Sequence, residues 1–381
     1  MREELAERLL GKIMEWDTPT AKEELGKVRY LAAVKYDGYH NFEPGRRFIE
    51  SLILWLQQFN SIDERKAAYD FIMKRMVYIS ETQMDHLVDL LYPQKIAPII
   101  IKQAGEINQI PSFKRKKIST SEIFKVIRRK TLFLGLSDGA RIDALRRKSE
   151  LNNEQVSVSY ELSPEKWQRM HENLEKWLHE NHNCSEAKFE NIFLIDDFSG
   201  SGNSILRVKD DTFKGKLPQF AKDALGDHDN LKTLGQYCVS GGPKLYIITY
   251  LSTKKAICSL KEAINTFLEM NKNINIASCE LLEPLQLLDN SIVVPQAGMQ
   301  IDQKFDELLL NYYDDRLEDE HTKTGGTDVR LGYAGCALPL VLCHNCPNNS
   351  VYLLWGQIEK VDSRRGVRAL FPRISRHLEG R

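Results

Sequence analysis

The stretch NIFLIDDFSGSGNSILR, Asn191 to Arg207, sets an apolar run against two adjacent carboxylates and then a loop of hydroxyls and glycines. In an open α/β sheet, ligands bind beyond the carboxyl ends of the strands. IFLI reads as a central strand, which puts Asp196 and Asp197 at its carboxyl end and Ser199, Gly200, Ser201, Gly202, Asn203 and Ser204 in the turn beyond, with a helix beginning near Ser204. Two glycines let the backbone approach a ligand, and amides at a helix N-terminus favour an anion such as phosphate. The paired acids would repel that anion, so they fit sugar hydroxyls or a magnesium ion. A ligand with a phosphate, a ribose diol and Mg satisfies every residue type. The structural alternative is a strand followed by an N-capped helix.

A second candidate lies upstream in LFLGLSDGARID, where an apolar run ends in Ser137, Asp138, Gly139 and Arg141. The planar guanidinium of Arg141 presents paired donors suited to a diphosphate. Ser-Asp-Gly is also a common turn, and an arginine there could instead pair with a surface acid. Two further histidines could do chemistry: His344, inside the CxxC formed by Cys343 and Cys346, and His321, a possible general base in EDEHTKTGG. Zinc at the CxxC would need further ligands, of which Cys336 is the near candidate. The alternatives are a satisfied core histidine, ordinary packed cysteines, and a turn fixed by the side chains of Asn348 and Asn349. Lys114, Arg115, Lys116 and Lys117, with Arg128, Arg129 and Lys130 beyond, could contact nucleic acid or form a solvated face.

The elements that must position these residues change character along the chain. REELAERLLGKIMEW and RRFIESLILWLQQF carry apolar residues at helical spacing. SIDERKAAYDFIMKRMVYI opens with a capping box, Ser61 with Glu64, and ETQMDHLVDLLY runs to Pro93. Residues 1–121 therefore read as an N-terminal helical region without its own sheet. Over 122–300, apolar runs alternate with helical patterns, including EQVSVSY, a long helix after Ser163 and Pro164, KLYIITYL, a helix near 254–270 and INIASCEL. That alternation predicts an α/β fold: a largely parallel sheet with helices on both faces. Residues 301–381 read as a mixed C-terminal region packed on the core, beginning with a helical KFDELLLNYYDDRLEDEH.

Lysine and arginine together number 53, as do aspartate and glutamate, so no general basic character marks a nucleic-acid binder. Seven scattered cysteines point to a reduced, cytoplasmic protein, and no run of about eighteen apolar residues predicts a membrane span. No N-terminal secretory pattern is visible.

IFLIDDFSGSGNS resembles the signature of type I phosphoribosyltransferases. The resemblance implies that Asp196 and Asp197 hold the ribose hydroxyls of phosphoribosyl pyrophosphate, directly or through Mg, and that Gly200 to Ser204 cradle its 5′-phosphate. It also implies that Ser137 to Arg141 contact the pyrophosphate. Phe198 and Ser199 stand where that family usually has aliphatic residues, and Gly200 replaces an acid present in some members, removing one candidate general base. The flanks, including GRRFIESLILWL, HNCPNNSVYLLWG and ALFPRISRH, resemble the phosphoribosyltransferase-like proteins of bacterial conflict systems, which accompany anti-phage cassettes including some retrons. That resemblance implies an effector, held by a protein or ribonucleoprotein partner until infection. Two functions follow: transfer or hydrolysis at the ribose anomeric carbon, with Asp196, Asp197 and Arg141 as catalytic residues, or a non-catalytic nucleotide-binding sensor.

Overall fold

The computed structural model describes residues 3–182, 186–209, 211–226, 232–288, 303–318, 320–326, 329–359 and 366–374. Cys184, Thr327, Asp328 and the end of the ALFPRISRH segment lie outside them, as does the side chain of His321. In chain order the strands are β1 (Val77–Ile79), β2 (Thr131–Gly135), β3 (Val156–Ser157), β4 (Asn191–Ser199), β5 (Arg207–Lys209), β6 (Thr212–Lys214), β7 (Lys244–Thr253), β8 (Ser278–Leu281), β9 (Gln286–Leu288) and β10 (Leu340–Leu342). The chain forms two compact units, one of Met1–Met84 with Asp289–Arg381 and one of Asp85–Leu288.

The first unit joins both ends of the sequence. Its helices begin as the periodicity predicts, and the Ser61–Glu64 capping box closes the start of Ile62–Lys74. The expected absence of a sheet is corrected: MVYI is not helical, because β1 pairs in parallel with β10. A pairing across some 260 residues leaves no local trace in a three-residue strand. Phe371 stacks on Phe42 and Phe48, tilts against Tyr78 and meets Tyr36 and Tyr39 edge to face, at ring separations of 5.1–6.1 Å. The indole N–H of Trp55 donates to the Leu353 carbonyl at 2.8 Å, so the N- and C-terminal segments share one core.

Within the second unit the sheet order is β3–β2–β4–β7–β8, with β9 also on β7, and each of these pairings is parallel. One face carries the helices Pro164–His182, Lys216–Leu225 and Lys254–Met270, whose Trp167, Leu174, Phe220 and Phe267 pack on Ile192, Leu194, Leu245 and Ile247. On the other face Phe133, Phe193 and Tyr246 stack. Gln103 of Ala97–Ile107 exchanges hydrogen bonds with Asn191 there. This contact draws residues from 85 onward into the α/β unit, ahead of the composition change near 122. Pro93 does not close its helix. A π-helical turn, Tyr92–Ile96, absorbs it and the helix continues through Ala97–Ile107, as π-turns allow.

EQVSVSY supplies only the two-residue β3, and the helical expectation for KFDELLLNYYDDRLEDEH holds over Gln303–Asn311, followed by a short 3-10 turn at Asp315–Leu317. Among the described residues, no helix is long and apolar enough to cross a membrane.

Candidate functional site

Leaving β2, the chain goes outward to β3, whereas β4 lies on the opposite side of β2. The switch point of this sheet therefore falls between β2 and β4, where doubly wound sheets open their ligand crevice. β2 stops at Gly135, the partner of Ile195. β4 runs on through Asp196 to Ser199, paired along that stretch with β7. The acids thus stand inside the strand yet beyond the end of β2, with the loop after β2 facing them.

Consecutive strand residues point to opposite faces. Asp196 shares the face of Leu194, and Asp197 that of Phe193 and Ile195. The expected acid pair is therefore split across the strand. Ser137 rejoins it: its hydroxyl makes a short hydrogen bond to Asp196 Oδ1 and lies 3.2 Å from Asp197 Oδ1. Both acids are buried. On its face Asp196 meets Lys216, with Nζ 2.7 Å from Oδ2. Burial is the largest influence on Asp196 and lifts its pKa above the usual carboxylate range, against the lowering by Lys216; the Asp197 charge adds to the rise.

On the other face stand Asp197, Tyr250 and Arg141. Burial and the Asp197 charge raise the Tyr250 phenol, and the Arg141 charge opposes them. Tyr250 donates to the Ala140 carbonyl at 2.9 Å, clamping the loop after β2. Arg141 sits at φ 50° and ψ 35°, a left-handed conformation that costs a non-glycine residue of order 1 kcal/mol and occurs disproportionately at functional sites. Its guanidinium lies 3.4 Å from Asp85, so the surface-acid pairing weighed from the sequence exists. Asp138 is exposed, and Gly139 is half-buried in the same turn.

The hydroxyl-glycine loop is anchored by its carbonyls. Thr253 donates to Gly200 at 2.6 Å and Ser252 to Ser199 at 3.2 Å. Gly202 is held at φ +84°, where a Cβ would stand 2.8 Å from Leu260. Among the described residues the amides of Ser201, Gly202 and Ser204 find no acceptor, and the buried Ser199 hydroxyl has no partner. Donors left open in this way suit an anion. Asn203 is half-buried and Ser204 exposed.

The helix expected near Ser204 is absent. Instead β5 and β6 form a hairpin, and the helix starts at Lys216, its first amides turned back to the loop: Lys216 to Ser204 at 3.1 Å and Leu217 to Ile205 at 3.0 Å. Pro218 has no amide and the Gln219 N–H donates to the Gly215 carbonyl, so the open amides lie in the loop and not at this helix end.

Lys216 was missed in the sequence because its segment, DDTFKGKLPQF, carries neither apolar alternation nor a recognisable motif. Its signal is Gly215, held at φ +120° with no room for a side chain against the Ile205 carbonyl, immediately before the lysine.

Other candidates are placed elsewhere. Lys114, Arg115, Lys116 and Lys117 are exposed around a shallow cavity of about 520 Å³ that also includes the exposed Phe113. Arg128, Arg129 and Lys130 do not extend that face. Arg128 donates to the Ser149 and Glu150 carbonyls, Arg129 is 4% exposed and Lys130 pairs with Glu190 at 2.9 Å. Asn349 fixes its turn by donating to the Tyr333 carbonyl and to Cys336. Cys346 points to the Leu340 carbonyl.

The PRTase-CE family model matches residues 52–373, which takes in the whole of the second unit, with every residue of the crevice, and most of the first. The chain belongs to the PRTase-CE family. The PRTase-CE protein is thus phosphoribosyltransferase-like, in agreement with its mostly parallel α/β sheet. No curated protein matches the chain, and no solved structure does.

Proposed function

We propose that the crevice between β2 and β4 binds phosphoribosyl pyrophosphate or a related nucleotide. The observation that carries this reading is the meeting of Ser137, Asp196 and Asp197 at the switch point, beside a loop with unpartnered amides. Asp197 and Asp196 would address the ribose diol, Ser199 to Ser204 the 5′-phosphate, and Ser137 to Arg141 the diphosphate. The carboxylates are oxygen donors of the kind Mg takes, and Mg when bound would neutralise charge on the diphosphate. Asp197 and Asp196 would hold it, the latter only once Lys216 withdraws, because both Asp196 oxygens are engaged by Ser137 and Lys216.

With the ribose so held, the C1–O bond to the diphosphate breaks with its electron pair leaving on oxygen. The carboxylates stabilise the positive charge left on the ribose, and an acceptor base, nucleotide, macromolecule or water then bonds to C1 through a lone pair and gives up its proton to the departing diphosphate. The role proposed for this chemistry is that of an effector in an anti-phage, retron-associated cassette, restrained by a protein or ribonucleoprotein partner. The likeness of the flanking segments to conflict-system proteins supports it.

A second reading, a non-catalytic nucleotide-binding sensor, is favoured by the Lys216–Asp196 ion pair and by glycine at position 200. Phosphorus NMR of the protein with phosphoribosyl pyrophosphate, Mg and a cell nucleotide extract separates the two. Pyrophosphate release or nucleotide loss, abolished by Asp197→Asn, is expected of an enzyme. Saturable binding with no turnover would establish the sensor, and neither binding nor turnover would defeat both.

A further inference from the structure

Cys346 and Cys336 are engaged with the Leu340 carbonyl and Asn349, whereas Cys343 meets Glu81, far off in sequence. Its thiol lies 3.0 Å from Glu81 Oε2, and His40 Nε2 lies 3.7 Å from that same carboxylate oxygen. The three donor atoms fall within 4.8 Å of one another. His344 Nδ1 stands 4.0 Å from the Cys343 sulfur.

We propose that His40, Glu81 and Cys343, with His344 as the fourth donor, form a Zn2+ site. Thiolate, imidazole and carboxylate are the donor types zinc takes, at bond lengths that put tetrahedral ligands about 3.3–3.7 Å apart. The observed spacings bracket that range. The backbone builds the site before any ion arrives. β1 and β10 are parallel, with Ile79 opposite Leu342, so Glu81 and Cys343 both follow the same end of the pair. Cys343 N–H donates to the Ile79 carbonyl, and His40 N–H donates to the Cys343 carbonyl, each at 2.9 Å. Asn41 donates to the His344 carbonyl at 2.9 Å.

Burial differs usefully among the ligands. Cys343 is 1% exposed, where an isolated thiol would do little, whereas the His40 and Glu81 side chains are 52% and 48% exposed and leave an ion a way in. Zinc would pin the turn after Tyr36–Gly38, the start of the helix Glu81–Leu91 and the loop after β10.

The test uses the full chain, stripped with a chelator, kept reduced and then titrated with Zn2+ against a chromophoric competitor, with Co2+ as the spectroscopic probe. One equivalent of Zn2+ per chain is expected, and Co2+ should show a thiolate charge-transfer band that Cys343→Ser removes. Loss of an outer-shell partner alone typically costs 10–100-fold in affinity, so His40→Ala should weaken binding by at least about 100-fold. His40 is half-exposed, so this variant should keep the wild-type circular dichroism and thermal midpoint measured without metal. Absence of Zn2+ uptake by the wild type, or uptake unchanged in a folded His40→Ala, would overturn the site.

Discussion

Lys216 reaches across twenty residues of sequence to place its ammonium 2.7 Å from Asp196 Oδ2, and Asp196 is only 2% exposed. The pair occupies the position from which Asp196 would address a ligand. On the proposed reading Lys216 would be a gate, releasing the carboxylate or moving onto the phosphate as the ligand enters.

Removing one member of such a pair leaves the other buried and uncompensated. Lys216→Met is expected to destabilise the protein by about 3–5 kcal/mol, while Asp196→Asn with Lys216→Met should regain most of that loss. Urea denaturation of the wild type, both single variants and the double variant measures the coupling. Additive losses would show that the two groups do not act as a pair.

The raised pKa of Asp196 has a definite sign in stability. A group whose folded value exceeds its unfolded value contributes stability that is complete below the unfolded pKa and is lost as pH rises through the folded one. The stability of the wild type relative to Asp196→Asn should therefore fall as pH rises from about 4, the ordinary carboxyl range. Thermal melts of the two proteins across pH 4 to 7 check this, and a rising difference would mean that Lys216 outweighs burial.

Gly215 joins the hairpin to the helix at φ +120°, with the Ile205 carbonyl oxygen 2.6 Å from where a Cβ would lie. Gly215→Ala combines backbone strain with a clash against backbone, and a loss of about 2 kcal/mol or more is expected. Because Lys216 follows directly, ligand affinity should fall with it. Chemical denaturation and calorimetric titration on one preparation read both effects.

The buried Ser199 hydroxyl separates stability from binding. With no partner among the described residues it contributes no folding hydrogen bond there, so Ser199→Ala should leave stability unchanged or raise it by up to about 1 kcal/mol. Affinity for a phosphorylated ligand should drop. A destabilised variant would place that hydroxyl in the fold and not in the site.

What the sequence disclosed was local. β2, β4 and β7 are each built on a short apolar run, and Pro164–His182 and Lys254–Met270 carry helical periodicity, so a largely parallel sheet with its helices was within reach. The acids and the loop were recognisable by residue type. Contacts between distant segments were not. The Lys216 partner, the pairing of β1 with β10 and the approach of Cys343 to Glu81 are set by tertiary packing, which no short window records. The helix expected near Ser204 starts only at Lys216 because a polar hairpin, β5 and β6, intervenes after the loop. The acid pair read as one unit because sequence adjacency hides the alternation of a strand, and Ser137 reunites its halves.

Calorimetric titration with phosphoribosyl pyrophosphate and Mg tests the central claim most directly, comparing the wild type with Asp197→Asn and with the double variant Asp196→Asn, Lys216→Met. Saturable binding to the wild type is expected, weakened at least about 100-fold in each variant, as the loss of a buried charged contact entails. Wild-type affinity retained in both variants would contradict the placement of the ligand between β2 and β4.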